Sequence, residues 1–208
     1  TDRSGFLDAS SITRATSQRG LLGLASPPDY ATTSRFYISR TEVTRAQYAA
    51  FDPKHQFPAG TGNHPASGIS FEQATAYAAF AGSSLPTIYH WDRVALTCAS
   101  SDIVPFSNLA WTGVQPTGGT RARNRYGAYD LGGNVREWTA DRWGTWQGDP
   151  REVVRNPAGP DAGRWRVIKG GGWFSGKGCN AVHVRNVLPR HWKDFNVGFR
   201  CARDVAPE

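Results

Sequence analysis

Residues 164–203 read RWRVIKGGGWFSGKGCNAVHVRNVLPRHWKDFNVGFRCAR. Trp165 and Val167 alternate with polar neighbours at the start, three glycines and Trp173 follow, and the stretch closes on Val197, Gly198, Phe199, Arg200 and Cys201. The opening alternation predicts a strand. Between Phe174 and Asn196, aromatic, small polar and cationic side chains mix with neither a helical nor a strand period, so regular structure is not expected there. The glycine run lets backbone pass close beside the Trp173 ring, because a residue without Cβ removes the steric bar. Ordered anchors around an irregular, aromatic-rich insert are the layout of a surface loop on a scaffold, where binding and catalysis concentrate.

The same stretch carries the charge. It holds nine Lys or Arg against Asp194 alone, a balance of +8 in a chain whose net charge is +7. Two readings are open: an anionic partner such as nucleic acid, a sulfated glycan or an acidic protein face, or basic stems covering apolar surface with their heads in water. No RNA-recognition, zinc or helix-turn-helix signature accompanies the charge.

At 208 residues the chain suits one large domain. Its 8 Trp, 10 Phe and 7 Tyr predict a core carried by aromatics, and 36 Gly plus Pro predict many turns. No apolar run approaches the ~20 residues needed to span a bilayer. The N-terminus shows no charged segment leading into an apolar core. Cys98, Cys179 and Cys201 are too few for a disulfide scaffold and lack metal spacing. That leans towards the cytoplasm over the cell surface.

Residues 1–34, rich in Ser, Thr, Arg and Gly, are expected to form an irregular N-terminal arm with a short strand near 20–24. Residues 35–43 read as a strand, and Thr44-x-x-Gln47 is a capping box opening a helix that ends by Pro53. Ser70-x-x-Gln73 opens a second helix with Phe71, Ala74, Thr75 and Ala78 inward and Gly82 as its left-handed stop. Pro86-Thr87 starts a third, with Ile88, Trp91, Ala95 and Cys98 inward and His90 off that stripe, exposed or hydrogen-bonded. Gly132-Gly133-Asn134 makes a tight turn between apolar segments. Helices early and short strands with long loops late indicate an α+β domain.

Several blocks then coincide: Glu42-Val43-Thr44-x-x-Gln47-Tyr48, His64-Pro65, Ile69-Ser70-Phe71-Glu72-x-Ala74-x-x-Tyr77, Leu85-Pro86-Thr87, Gly133-Asn134-Val135-x-Glu137-Trp138, Lys169-Gly170-Gly171-Gly172-Trp173 and Gly198-Phe199-Arg200. In that unbroken order they resemble the formylglycine-generating enzyme, or sulfatase-modifying factor, family over residues 35–204. The resemblance implies a C-type-lectin-like α+β fold: a small, twisted, mostly antiparallel sheet, two to three helices and extensive loops. Active members of that family oxidise a substrate cysteine to formylglycine on a copper ion held by two cysteines five residues apart. Here those positions are Ser175 and Asn180, with Cys179 unpaired at that spacing. Cu(I) selects paired thiolates, which Ser and Asn oxygens do not replace. No copper and no oxidase chemistry are therefore expected.

The remaining reading is a non-catalytic ligand-binding domain. Residues 174–196 also resemble the mutable C-terminal surface of variable proteins of diversity-generating retroelements, which implies bacterial or phage origin and excess sequence variation there. Trp173 and Gly198-Phe199-Arg200 would be fixed supports. Phe174, Ser175, His183, Asn186, Leu188, His191, Trp192, Asp194, Phe195 and Asn196 would be displayed to a protein, peptide or nucleotide-like ligand, or an anionic one. Aromatic anchors beside small polar groups are the chemistry of a paratope. Two alternatives stay open: an oxidase using Cys179 in altered geometry, and an accessory sensor domain of a larger signalling protein such as a kinase.

The resemblance further implies Ca²⁺ held by Asp130, Gly133, Val135 and Glu137, two hard carboxylates and two turn carbonyls. Against this stands a reading in which Asp130 caps the turn and Glu137 pairs with an Arg. It also implies a Cys98–Cys201 bridge, the alternative being three free thiols in a reducing compartment.

Overall fold

The protein is described from a computed structural model over residues 6–8, 36–95, 103–109, 112–144, 159–160, 162–176, 182 and 184–204. Both capping boxes form. The Thr44 hydroxyl accepts from the Gln47 N–H at 3.2 Å while the Gln47 side chain accepts from the Thr44 N–H at 2.8 Å, starting α1 (Arg45–Phe51). Ser70 and Gln73 repeat the exchange ahead of α2 (Phe71–Phe80). Each exchange satisfies two donors that a first helical turn leaves orphaned. α1 stops at Asp52. α2 stops where Gly82 takes φ +62°, a conformation that an L side chain resists.

α3 (Ile88–Ala95) buries Ile88, Trp91 and Ala95 as expected, together with Val94 and His90; Cys98 lies outside the described residues. His90 stacks on Phe36 with centroids 4.4 Å apart, and its Nε2 meets Asp204 at 3.1 Å. In α2 the inward face is Ala74, Tyr77 and Ala78. Thr75, expected inward, is exposed and donates its hydroxyl to the Phe71 carbonyl at 2.9 Å. A hydroxyl already satisfied by its own helix gains nothing from an apolar core.

Two small sheets complete the fold. β1 (Phe6–Asp8), β2 (Phe36–Ser39) and β7 (Ala202–Asp204) form an antiparallel set in the order β1-β2-β7. β3 (Arg136–Arg142), β4 (Trp165–Lys169), β5 (Asn186–Pro189) and β6 (Val197–Gly198) run β5-β4-β3-β6, antiparallel except for the parallel β3–β6 pair. β2 is shorter than residues 35–43, because the backbone leaves the sheet and the Val43 N–H donates instead to the Phe199 carbonyl at 2.9 Å. The strand expected near 20–24 lies outside the described residues. β5 corrects the expectation of an irregular stretch throughout 174–196: Asn186 to Pro189 complete the free edge of β4, a pairing decided by backbone partners and not by side-chain period.

The second sheet separates two apolar clusters. Trp138, Ile168, Val197 and Phe199 pack with Tyr48, Ala74 and Tyr77 of α1 and α2, whereas Ile38, Trp91, Val94 and Leu131 form the other on the α3 side. With both faces covered, Arg166 to Lys169 are buried consecutively. The buried Trp138 indole N–H donates to the Ile69 carbonyl at 2.8 Å, so its polar end is also satisfied. β3 and β6 begin side by side, with Arg136 opposite Val197, and the end of β4 lies beside the start of β3. Residues 130–136, 170–176 and 194–197 therefore meet at one end of the sheet.

Candidate functional site

Beneath that end lies a buried polar hub. Arg200, fully buried, donates Nε to Glu137 Oε2 at 2.7 Å and Nη2 to Oε1 at 2.6 Å, and adds carbonyl bonds to Ser39, Arg40 and Tyr129. The Trp91 indole donates to Glu137 Oε2 at 2.9 Å. Burial alone would lower the Arg200 pKa, but Glu137, Glu42 and Asp130 attract the cation and the net direction is upward. Burial, then the charges of Asp130 and Glu137, hold the Glu42 carboxyl well above the usual range. Asn134, at φ +68° and fully buried, ties the hub to the loops: its Oδ1 accepts from Gln115 N and Asn108 Nδ2, and its Nδ2 donates to Glu42 Oε1 and the Gln115 carbonyl. Asn is one of the few non-glycine types that enter left-handed backbone readily. The sequence reading placed Asn134 in a turn but missed this role and that of Glu42; an Asn closing a Gly-Gly turn was the available signal.

Above the hub stands an aromatic face. The Trp173 ring lies 5.5 Å from that of Phe174 and 6.0 Å from that of Phe195, and Phe174 and Phe195 are 5.9 Å apart. Phe174 is 46% and Phe195 59% exposed, so the contacts leave much of both rings open. The supports are rigid. Trp173 N–H donates to the Asn134 carbonyl at 2.8 Å, Phe199 and Arg200 are buried, and a Cβ on Gly198 would sit 2.8 Å from the Ala66 carbonyl oxygen. Ser175 Oγ accepts from Gly172 N–H at 3.0 Å and Arg136 Nη2 at 3.1 Å, closing the turn that carries Phe174.

Of the ten residues expected on display, Phe174, Trp192 and Phe195 are strongly exposed and His191 is exposed. His183 lies outside the described residues. Asn186 and Leu188 are half-buried strand residues, Leu188 against the first apolar cluster. Ser175 and Asp194 are half-buried turn residues, Asp194 Oδ1 accepting from Asn196 N–H at 2.8 Å. Asn196 is not displayed: it is 6% exposed, and its amide fills the space where a Gly172 Cβ would stand. The reason is β6, which starts one residue later and pulls Asn196 under the Gly-rich turn, its carbonyl accepting from Arg136 N–H at 2.9 Å.

At the position expected to hold Ca²⁺, both carboxylates are already engaged. Asp130 accepts from Gly118 N–H at 2.6 Å and Thr120 Oγ1 at 2.8 Å, and Glu137 is held by Arg200 and Trp91. A cation there would displace a guanidinium that already supplies the positive charge, so Asp130, Gly133, Val135 and Glu137 as arranged fit the turn-cap and Arg-pair reading better than a Ca²⁺ shell. Of the expected Cys98–Cys201 pair, Cys98 lies outside the described residues; Cys201 is a free thiol buried in the first cluster, where burial pushes it up to about 11. Such a thiol stays protonated near neutral pH and is a poor nucleophile.

Residues 7–205 match the sulfatase-modifying factor enzyme 1-like domain. The chain belongs to that family. It is 32% identical to the formylglycine-generating enzyme of Thermomonospora curvata over 170 residues, covering 68% of this chain and 56% of the relative. It is 30% identical to the inactive C-alpha-formylglycine-generating enzyme 2 of Mus musculus over 178 residues, covering 70% and 53%. The chain thus spans about half the length of these curated relatives. Among solved structures, Treponema denticola variable protein 1 superposes with a TM-score of 0.67 at 21% identity, covering 81% of this chain and 84% of that one. The fold is accordingly the C-type-lectin-like α+β fold of sulfatase-modifying-factor domains and variable proteins. The family holds active and inactive members, so membership alone does not decide catalysis. No helix among the described residues is long and apolar enough to cross a membrane.

Proposed function

We propose that this sulfatase-modifying-factor-like domain binds a ligand without transforming it, through the aromatic face of Trp173, Phe174 and Phe195. The carrying observation is Ser175. It stands where the resemblance places the first copper cysteine, and its oxygen is spent on Gly172 and Arg136, holding the turn that presents Phe174. A turn stabilised in this way supports a displayed ring; it supplies no thiolate for copper. Rigid aromatics on a braced turn give contact area at low entropic cost, which suits recognition of a protein, peptide or nucleotide-like ligand. The similarity in fold to variable proteins supports the same reading and motivates the further proposal that residues 174–196 vary between sibling genes.

The test has two arms. With Cu(I) supplied, the protein is expected to leave a cysteine-containing peptide unchanged by mass; conversion to the aldehyde would end the reading. Panning a displayed peptide library is expected to return binders that are lost on Phe174→Ser or Phe195→Ser, with Tm unchanged because surface substitutions usually stay within ~0.5 kcal/mol. Binders insensitive to both changes would place recognition elsewhere.

A further inference from the structure

One cation at the aromatic end of the sheet has no counter-charge. Arg136 opens β3, and its backbone N–H donates to the Asn196 carbonyl at 2.9 Å, next in the chain to Phe195. Its side chain reaches the turn that carries Phe174, where Nη2 donates to Ser175 Oγ at 3.1 Å. Arg136 thus bridges the two segments whose rings make the face, 172–175 with Trp173 and Phe174, and 194–197 with Phe195. None of the ion pairs among the described residues includes it. Asp194, the acidic residue of the second segment, turns its Oδ1 to the Asn196 N–H at 2.8 Å instead.

The guanidinium is only partly engaged. Arg136 is half-buried, and its Nε is enclosed beyond the reach of a ligand. Nη1 makes no bond to the described residues and, unlike Nε, is not enclosed. The half-buried Ser175 hydroxyl is in a matching state. Its two lone pairs are filled, by the Gly172 N–H at 3.0 Å and by Arg136 Nη2, so its hydrogen points away from both donors and no described residue accepts it. Two free donors, one of them charged, therefore adjoin Phe174, whose Cα is ~3.8 Å from that of Ser175. The unpartnered acceptor of these segments, Asn196 Oδ1, is enclosed like Arg136 Nε and takes no part.

We infer that this corner makes the aromatic face selective for an acidic peptide segment, with an apolar side chain on the rings and the carboxylate of a neighbouring Asp or Glu on Arg136 Nη1 and the Ser175 O–H. The inference rests on the ligand-binding reading of the face. Both free groups donate, so they select a group that only accepts, and an ionised carboxylate is one. One cation matches one carboxylate. A phosphate monoester would bring about twice that charge and three acceptor oxygens to the same two donors. A chain terminus is disfavoured as the source, because C-terminal carboxylates are captured in nests of backbone N–H groups. Here the donors are side chains, beside rings that are 46% and 59% exposed.

The test uses a displayed peptide library whose members are joined to the carrier at both ends, so that no free terminus is offered. Selected binders are expected to carry Asp or Glu beside an aromatic or large aliphatic residue. In a fluorescence titration of one such peptide against the whole chain, replacing its acid by the amide is expected to weaken binding about tenfold or more, the worth of one charge-assisted hydrogen bond. Arg136→Gln is expected to weaken the acidic peptide by the same factor and to leave the amide peptide unchanged. Lys54→Gln, the same charge change outside the site, is expected to alter neither. Should Arg136→Gln not fold, Arg136→Lys keeps the charge but loses the fork that serves Ser175 and a ligand together, and is expected to give a smaller loss confined to the acidic peptide. Binders that are lost on Phe174→Ser or Phe195→Ser but indifferent to the acid-to-amide exchange overturn the inference and leave the aromatic-face reading standing. Equal loss of both peptides on Arg136→Gln, an equal effect of Lys54→Gln, preference for a phosphorylated peptide, or binding that requires a free C-terminus does the same. No binders, or binders insensitive to both ring changes, remove the face as the site and the inference with it.

Discussion

Replacing Arg200 by Met should unbalance the centre of this domain. The side chain is fully buried and donates five hydrogen bonds, two of them charge-assisted bonds to Glu137. Removing one member of a buried ion pair strands the other, at a cost of about 3–5 kcal/mol. For a domain of this size that corresponds to roughly 10 °C in Tm, and it is a large part of the ~5–15 kcal/mol by which folded proteins exceed their unfolded states. The pH dependence is a second signature. Arg200 lowers the carboxyls of Glu42 and Asp130, both already pushed up by burial. Without it they rise further, so the native state holds more protons than the unfolded chain and stability falls as pH rises through the raised values. The deficit of Arg200→Met is therefore expected to be larger at pH 7 than at pH 5 in urea unfolding followed by Trp fluorescence. Adding Glu137→Gln should recover part of it, leaving a non-additive coupling of 1 kcal/mol or more. A deficit below about 1 kcal/mol at pH 7, or strict additivity, would refute the account of the hub.

Burial pushes Asp141 up to about 6, so its native carboxyl retains a proton that the unfolded chain releases near pH 4, and stability should decline between those values by on the order of 3 kcal/mol. Asp141→Asn, which keeps an acceptor for the Ile88 N–H, should flatten that decline in unfolding curves across pH 4–7. Saturating Ca²⁺ against chelator should leave Tm unchanged, since Arg200 already serves Glu137; a rise of several degrees would reinstate the cation expected at Asp130, Gly133, Val135 and Glu137. Gly133→Ala should lower Tm by about 5 °C or more, because its Cβ would stand 2.7 Å from the Asn108 carbonyl oxygen and 2.9 Å from its nitrogen, and neither backbone atom can swing aside.

The caps, the glycine stop of α2 and the inward face of α3 were legible because each depends on side chains within a few positions of one another. Thr44 and Gln47, or Ser70 and Gln73, make their bonds whatever the rest of the chain does. The location of a displayed aromatic face after Trp173 was legible too, since no core uses Phe174 and Phe195 in that pattern. Its membership was not. Asn196 looked like a loop residue until β6 drew it under Gly172, and Leu188 like an exposed anchor until β4 needed a fifth-strand partner.

What the sequence determined alone was therefore local: where helices begin and end, and that an aromatic stretch follows the Gly-rich turn. Only the tertiary structure decided that Arg200 would take Glu137, 63 residues away, and that Arg142 would stand directly opposite Arg166. The difference is one of range. A cap is fixed by neighbours along the chain, whereas the charge environment of a buried side chain is set by whatever packing brings against it from any distance in sequence.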